Sequence, residues 1–154
     1  MKVLGIDPGF DRLGLAVVSG DASRPTLVWS DCVEPPEGMS SERLDRVYHA
    51  VLQAIEEFSP DKIAIESLFF STNKKTAFSV AEARGAILSA VGFKGVPFQE
   101  FTPGQIKLAV TGHGGANKEA VASMLPHLLV LPQKKRRDDE LDAIAVAITG
   151  LANR

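Results

Sequence analysis

KVLGIDPGFDRLGLAVV, residues 2–18, holds two apolar runs around a turn. Val3, Leu4 and Ile6 lead into Asp7, Pro8-Gly9 opens the turn-rich PGFDR, and the apolar run resumes at Leu13. Two runs of strand length joined in this way read as a β-hairpin, with strands over 2–7 and 13–18. A carboxylate at the end of so apolar a strand is either a turn residue or a ligand. Asp-Pro-Gly taken alone fits both, because Asp shapes turns by hydrogen-bonding its own backbone. If Asp7 is a ligand, the rest of the chain must supply its companions.

Outward from the hairpin, Thr26–Val33 reads as a third strand, and EPPEGM as a loop with Ser40 or Ser41 available to cap a helix. Apolar residues then fall at 44, 47, 48, 51, 52, 55 and 58, the stripe of a helix over 41–58 that Ser59-Pro60 stops. KIAIE (62–66) is a short buried strand, and it too ends in an acid. A helix over 74–91 ends at GFKG, VPFQEF (96–101) is a fifth strand, and TPGQIKLAV a short helix. After the glycine-rich TGHGGAN, Asn117 can cap a helix that Pro126 ends or kinks. A last helix carries Leu141, Ile144, Ala145, Ile148 and Leu151 along one side. Strands followed by helices predict an α/β fold, a mixed five-stranded sheet flanked by helices.

The 154 residues suit one domain, 1–154, with a sizeable core. With 45% hydrophobic and 23% charged residues the composition is that of a globular protein, and no apolar run nears the roughly 20 residues that span a bilayer. No apolar stretch of signal-peptide length follows Lys2, and Cys32 has no partner for an internal disulfide. The expectation is a cytoplasmic protein with no membrane association. The net charge of −2 disfavours a uniformly basic nucleic-acid binder but leaves local basic patches open.

Asp7 and Glu66 each end a strand, and the helix over 41–58 is a crossover that lets those strands lie parallel, even as neighbours. Parallel neighbours about 4.8 Å apart would bring the two carboxylates together at the carboxyl edge of the sheet, where α/β proteins bind ligands. Asp139 and Asp142, three residues apart, share one side of the last helix. If that helix packs beside the first strand, four carboxylates crowd one place and repel one another. Divalent cations relieve that repulsion, and an all-oxygen donor set suits Mg²⁺ or Mn²⁺. Two such ions can hold both the attacking water and the leaving oxygen of a phosphodiester. Singly, Glu66 also reads as a surface acid, and Asp138, Asp139, Glu140 and Asp142 as a complement to a helix dipole. Only their joint arrangement favours a site.

GIDPG at 5–9, AIES around Glu66, FF at 69–70, EARG at 82–85, QIKLAVTGHGGANK at 105–118 and DELDAIAVAIT at 139–149 resemble, in order, the RuvC family of Holliday junction resolvases. The resemblance implies a ribonuclease-H-like fold and a homodimer that cuts four-way DNA junctions with Mg²⁺ or Mn²⁺, two ions per active site. It implies paired nicks leaving 5′-phosphate and 3′-hydroxyl ends, a bacterial source, and a branch-migration complex of the RuvA and RuvB type as partner. By position it makes Asp7, Glu66, Asp139 and Asp142 the catalytic acids and metal ligands. Asp139 is preferred to Asp138 because it lies three residues before the Asp142 of DAIA. The family also implies that Lys107 and Lys118 stand near the active site and DNA, and that Phe69 contacts the junction. It points to the helix over 74–91, with Ala77, Ala81, Ala83 and Gly85, as the dimer interface.

Around these residues the sequence offers further DNA contacts. One exposed ring of Phe69-Phe70 could stack on a base, while Phe70 reads equally as core. Lys74 and Lys75 fit phosphates or a solvated helix start. The loop before Lys118 can bring amides to a phosphate, but it lacks the G-x-x-x-x-G-K-[ST] spacing of a P-loop. His49, His113 and His127 read as solvated. Lys134, Lys135, Arg136 and Arg137 directly precede the acids and could draw in a DNA backbone, or form a solvated loop. Rival readings are a non-catalytic junction-binding module, a nuclease of RNA–DNA hybrids on the same fold, and a two-domain ATPase. The chain is short for the last.

Overall fold

The computed structural model describes residues 1–67 and 74–153. Phe69, assigned to the junction, and its neighbour Phe70 lie outside the described residues. Five strands, β1 (Lys2–Asp7), β2 (Leu13–Asp21), β3 (Arg24–Val33), β4 (Lys62–Glu66) and β5 (Phe98–Phe101), form one sheet in the order β3-β2-β1-β4-β5. β1, β2 and β3 are antiparallel neighbours, whereas β4 runs parallel to both β1 and β5. The helices are α1 (Ser40–Phe58), α2 (Lys74–Lys94), α3 (Pro103–Thr111), α4 (Lys118–Leu128) and α5 (Asp138–Ala152). None of the described helices is long and apolar enough to cross a membrane.

The sheet is buried on both faces, which explains why its central strands are continuously apolar rather than alternating. Leu4, Ile6, Leu15, Val17, Ile63 and Ile65 pack with α1 and α2 on one side. Val3, Ala16, Val18 and Ala64 pack with α5, backed by α3 and α4, on the other. Every residue of α5 from Ala143 to Leu151 is buried, as expected of a helix covered by a sheet below and helices above. Two glycines permit its close approach. A Cβ on Gly5 would run into the backbone of Ala143 and Ala147, and one on Gly14 into the carbonyl of Asp139.

Several element ends differ from the sequence reading. α1 starts after Met39 without a side-chain cap, and stops at Ser59 in the left-handed conformation (φ 45°). α2 continues through Gly92 and Phe93 to Lys94, and Gly95 at φ 66° ends it. β5 begins only at Phe98; the preceding Pro97 lacks an N–H but still offers its carbonyl to the Ile63 amide at 2.8 Å. Pro126 lies inside α4, two residues before its end. Ala83 is buried against the core, so it does not belong to the outward face of α2 on which the dimer was placed.

Candidate active site

The period of two along a strand decides where the acids point. On β1, Val3 and Gly5 face α5, so Asp7 does too; on β4, Ala64 faces α5, and so does Glu66. Ile6 pairs with Ile65 across the two parallel strands, which makes Asp7 and Glu66 the next pair along, at the carboxyl edge. Because Gly14 has no side chain, the first turn of α5 settles beside them with Asp139 and Asp142. These four acids line one cleft of about 310 Å³ together with Lys107 and Lys118, between walls that include Pro103, Ile106 and Val121.

Each cation is set by a capped helix. Thr102 and Gln105 form a reciprocal capping box at the start of α3, which carries Lys107. Asn117 caps α4 through the Ala120 amide at 2.8 Å and leaves Lys118 as the first helical residue. Lys118 Nζ donates to Asp142 Oδ2 at 2.6 Å.

The electrostatics are those of crowded carboxylates. Burial, then the charges of Glu66 and Asp142, push Asp7 well above the usual carboxylate range. Asp7 hydrogen-bonds with Glu66, which further opposes ionisation of Asp7. Burial also raises Glu66, and it raises Asp142 against the opposing pull of Lys118. The bond to Asp142 holds the Lys118 ammonium above its ordinary value. As they stand, the acids satisfy one another and their cations. Asp7 meets Glu66, Asp142 meets Lys118, and Asp139 faces Arg12 at 3.7 Å. Among the described residues no three such side chains converge on one point. The donor set nevertheless fits a hard divalent cation, since carboxylate oxygens alone supply it and a cation would replace the shared proton and the ammonium.

Of the neighbouring acids, Asp138 lines an adjoining groove that shares Lys118 and Asp142 with the main cleft, and Asp139 is the member of the doublet that lines the cleft itself. The basic run divides. Lys134 and Arg136 turn inward to the buried Glu140, at 2.7 and 3.3 Å, and Ser30 Oγ donates to the same carboxylate at 2.6 Å. Lys135 is exposed, and Arg137 reaches Glu34 at 2.7 Å. Lys74 and Lys75 are exposed in the first turn of α2 and do not line the cleft. His49, His113 and His127 are also exposed and lie outside it.

Sequence reasoning missed Arg12, Glu34, Ser30 and Glu140. Only Glu140 left a local signal. It begins the stripe 140, 143, 144, 147, 148, 151, so helical spacing marks it as buried, and four cations precede it.

A family model described as crossover junction endodeoxyribonuclease RuvC matches residues 3–150. The chain is 37% identical over 148 residues to the crossover junction endodeoxyribonuclease RuvC of Thermotoga petrophila, covering 96% of this chain and 90% of that one. To the protein of the same name from Moorella thermoacetica it is 42% identical over 149 residues, covering 96% and 89%. Among solved structures, T. thermophilus RuvC in complex with Holliday junction substrate superposes with a TM-score of 0.90 at 38% identity, covering 97% of this chain and 92% of that one.

Proposed function

The chain belongs to the RuvC family of crossover junction endodeoxyribonucleases, and from that premise we propose that Asp7, Glu66, Asp139 and Asp142 are its metal ligands and catalytic acids. As a member of the family it is a DNA endonuclease of the ribonuclease-H-like fold that resolves Holliday junctions, and divalent-metal dependence goes with that class. The observation that carries the assignment of residues is that two strand-end acids and two helix acids line one cleft with Lys107 and Lys118.

The ions would be Mg²⁺ or Mn²⁺, two per site, held by Asp7, Glu66, Asp139 and Asp142. When bound, they supply the positive charge that lets a phosphodiester enter among the acids, activate water for in-line attack and stabilise the leaving oxygen. Glu66, half-buried beside Asp7, accepts a hydrogen bond from the attacking water and orients it. Asp139 and Asp142 complete the ligand set. Lys118 leaves Asp142 for the phosphate, and Lys107 on the rigid α3 offsets negative charge that develops on the phosphate oxygens. No protein nucleophile is required, and the products are 5′-phosphate and 3′-hydroxyl ends. Lys135, Arg137, Lys74 and Lys75 contact the DNA backbone, while Lys134 and Arg136 reach it only by leaving Glu140.

A four-way junction is nearly two-fold symmetric, so paired nicks call for two sites related by a dyad. The exposed face of α2 supports a homodimer there. Phe78 and Phe93 are 69% and 71% exposed, and between them, among the described residues, nothing stands within 4 Å of where a Cβ on Gly85 or Gly92 would lie. Branch-migration proteins of the RuvA and RuvB type would deliver the junction.

Cleavage of a synthetic mobile four-way junction tests the reading. With Mg²⁺ or Mn²⁺ the wild type is expected to give paired symmetric nicks on denaturing gels, and Asp7→Asn to bind the junction in EDTA without cutting it. Cleavage by Asp7→Asn at the wild-type rate would remove Asp7 from the mechanism. Preference for an RNA–DNA hybrid over the junction would redirect the substrate.

A further inference from the structure

On the β3 side of the cleft, outside the carboxylates, Arg12 and Arg137 close on a single oxygen. Arg137 NH2 lies 2.7 Å from Glu34 Oε1, and Arg12 Nε lies 3.9 Å from the same atom. Arg12 NH1 is also 3.7 Å from Asp139 Oδ2, which ties this group to the rim of the site. The three side chains come from three places: the β1–β2 turn, the residue after β3, and the residue before α5. All are about half exposed, at 49%, 48% and 55% for Arg12, Glu34 and Arg137.

The backbone beneath them is fixed. Gly14 pairs with Cys32 across β2 and β3 and packs on the Asp139 carbonyl. Arg43 holds the turn by donating to the Phe10 carbonyl at 3.1 Å and to Asp11 Oδ1 at 2.7 Å, with its guanidinium over the Phe10 ring. Cys32 lies within the field of the whole group. Burial first, and then the charges of Asp139 and Glu34, outweigh those of Arg12 and Arg137 and push its thiol up to about 11.

Two guanidiniums share one acceptor here, and both side chains are about half exposed. Among the described residues Arg12 has two long ion pairs, and exposed pairs of that kind are weak enough to exchange readily. A DNA phosphate offers what Glu34 offers, two acceptor oxygens sharing one negative charge, and its two non-bridging oxygens can serve two guanidiniums where here one carboxylate oxygen meets both. Since the arginines stand on the outer side of Asp139, the phosphate they reach is a neighbour of the one that is cut.

We propose that Arg12 and Arg137 form a clamp for a backbone phosphate of the junction beside the scissile one, and that Glu34 occupies the clamp in the free protein and yields it to DNA. The proposal rests on the nuclease reading above. Glu34 thereby acts as an internal competitor that discourages loose, non-specific attachment of duplex at this rim.

The test measures binding of a fluorescent synthetic four-way junction in EDTA across a salt series, for wild type, Arg12→Ala, Arg137→Ala and Glu34→Gln. Each arginine variant is expected to bind about 3- to 10-fold more weakly, with a log–log salt slope shallower by about one counterion. Glu34→Gln is expected to bind about 2- to 5-fold more tightly, as loss of one exposed competing pair implies. Arginine variants with the wild-type slope, or a Glu34→Gln chain that binds no more tightly than wild type, would overturn the clamp alone. A wild-type chain that does not bind the junction would overturn the nuclease reading together with it.

Discussion

Asp7 carries the largest electrostatic strain in the cleft, because burial and the surrounding carboxylates oppose its ionisation. An acid whose folded value is raised adds stability below its unfolded value, near 4, and loses that contribution as pH climbs through the folded value. Metal-free protein should therefore gain from Asp7→Asn near pH 8, with a melting temperature about 2–6 °C higher, and the gap should close towards pH 4. Thermal unfolding in EDTA at several pH values checks this, and added Mg²⁺ should stabilise the wild type alone. Glu140 is the opposite case, a buried acid already matched. Glu140→Ala would strand Arg136, 7% exposed, without its partner and should cost about 3–5 kcal/mol in urea unfolding. Asp7 and Glu66 stood out as candidates because each ends an apolar strand, and Asp139 and Asp142 because helical spacing puts them on one side, while the choice of Asp139 over Asp138 came from the family resemblance. Arg12 and Glu34 were not legible, since their meeting depends on a turn and a strand end brought together only by the fold.

At the scale of elements, the site depends on how closely α5 lies on β1 and β2. Gly14→Val should push the Asp139 carbonyl away, destabilise the protein by about 1–3 kcal/mol and lower junction cleavage beyond what stability explains. Cleavage measured well below the variant's melting temperature separates the two effects. The order of strands and helices could be read from apolar runs and stop signals, because these reflect burial directly. Element ends were harder. α2 passes through Gly92 and Phe93 because a glycine inside a helix is costly but not prohibitive, and α1 begins at a residue with no capping side chain. Which face of α2 is buried was also misread at Ala83, whose small side chain fits a tight core as readily as an interface.

For the molecule as a whole, the net charge of −2 hides a local pattern: four acids line the cleft with Lys107 and Lys118, and Arg12 stands beside it, 3.7 Å from Asp139. Junction binding should weaken steeply with salt, while metal binding to the buried acids should do so much less. Gly85→Arg, placed in open space on α2, should leave the fold intact but yield a monomer by sedimentation, and single rather than paired nicks. The measurement that bears most directly on the central claim is an anomalous difference map from crystals of this protein grown with Mn²⁺. Peaks between Asp7, Glu66, Asp139 and Asp142, with the Lys118 ammonium moved off Asp142, are predicted. A protein that cuts junctions in Mn²⁺ yet shows no peak at Asp7 would contradict the account.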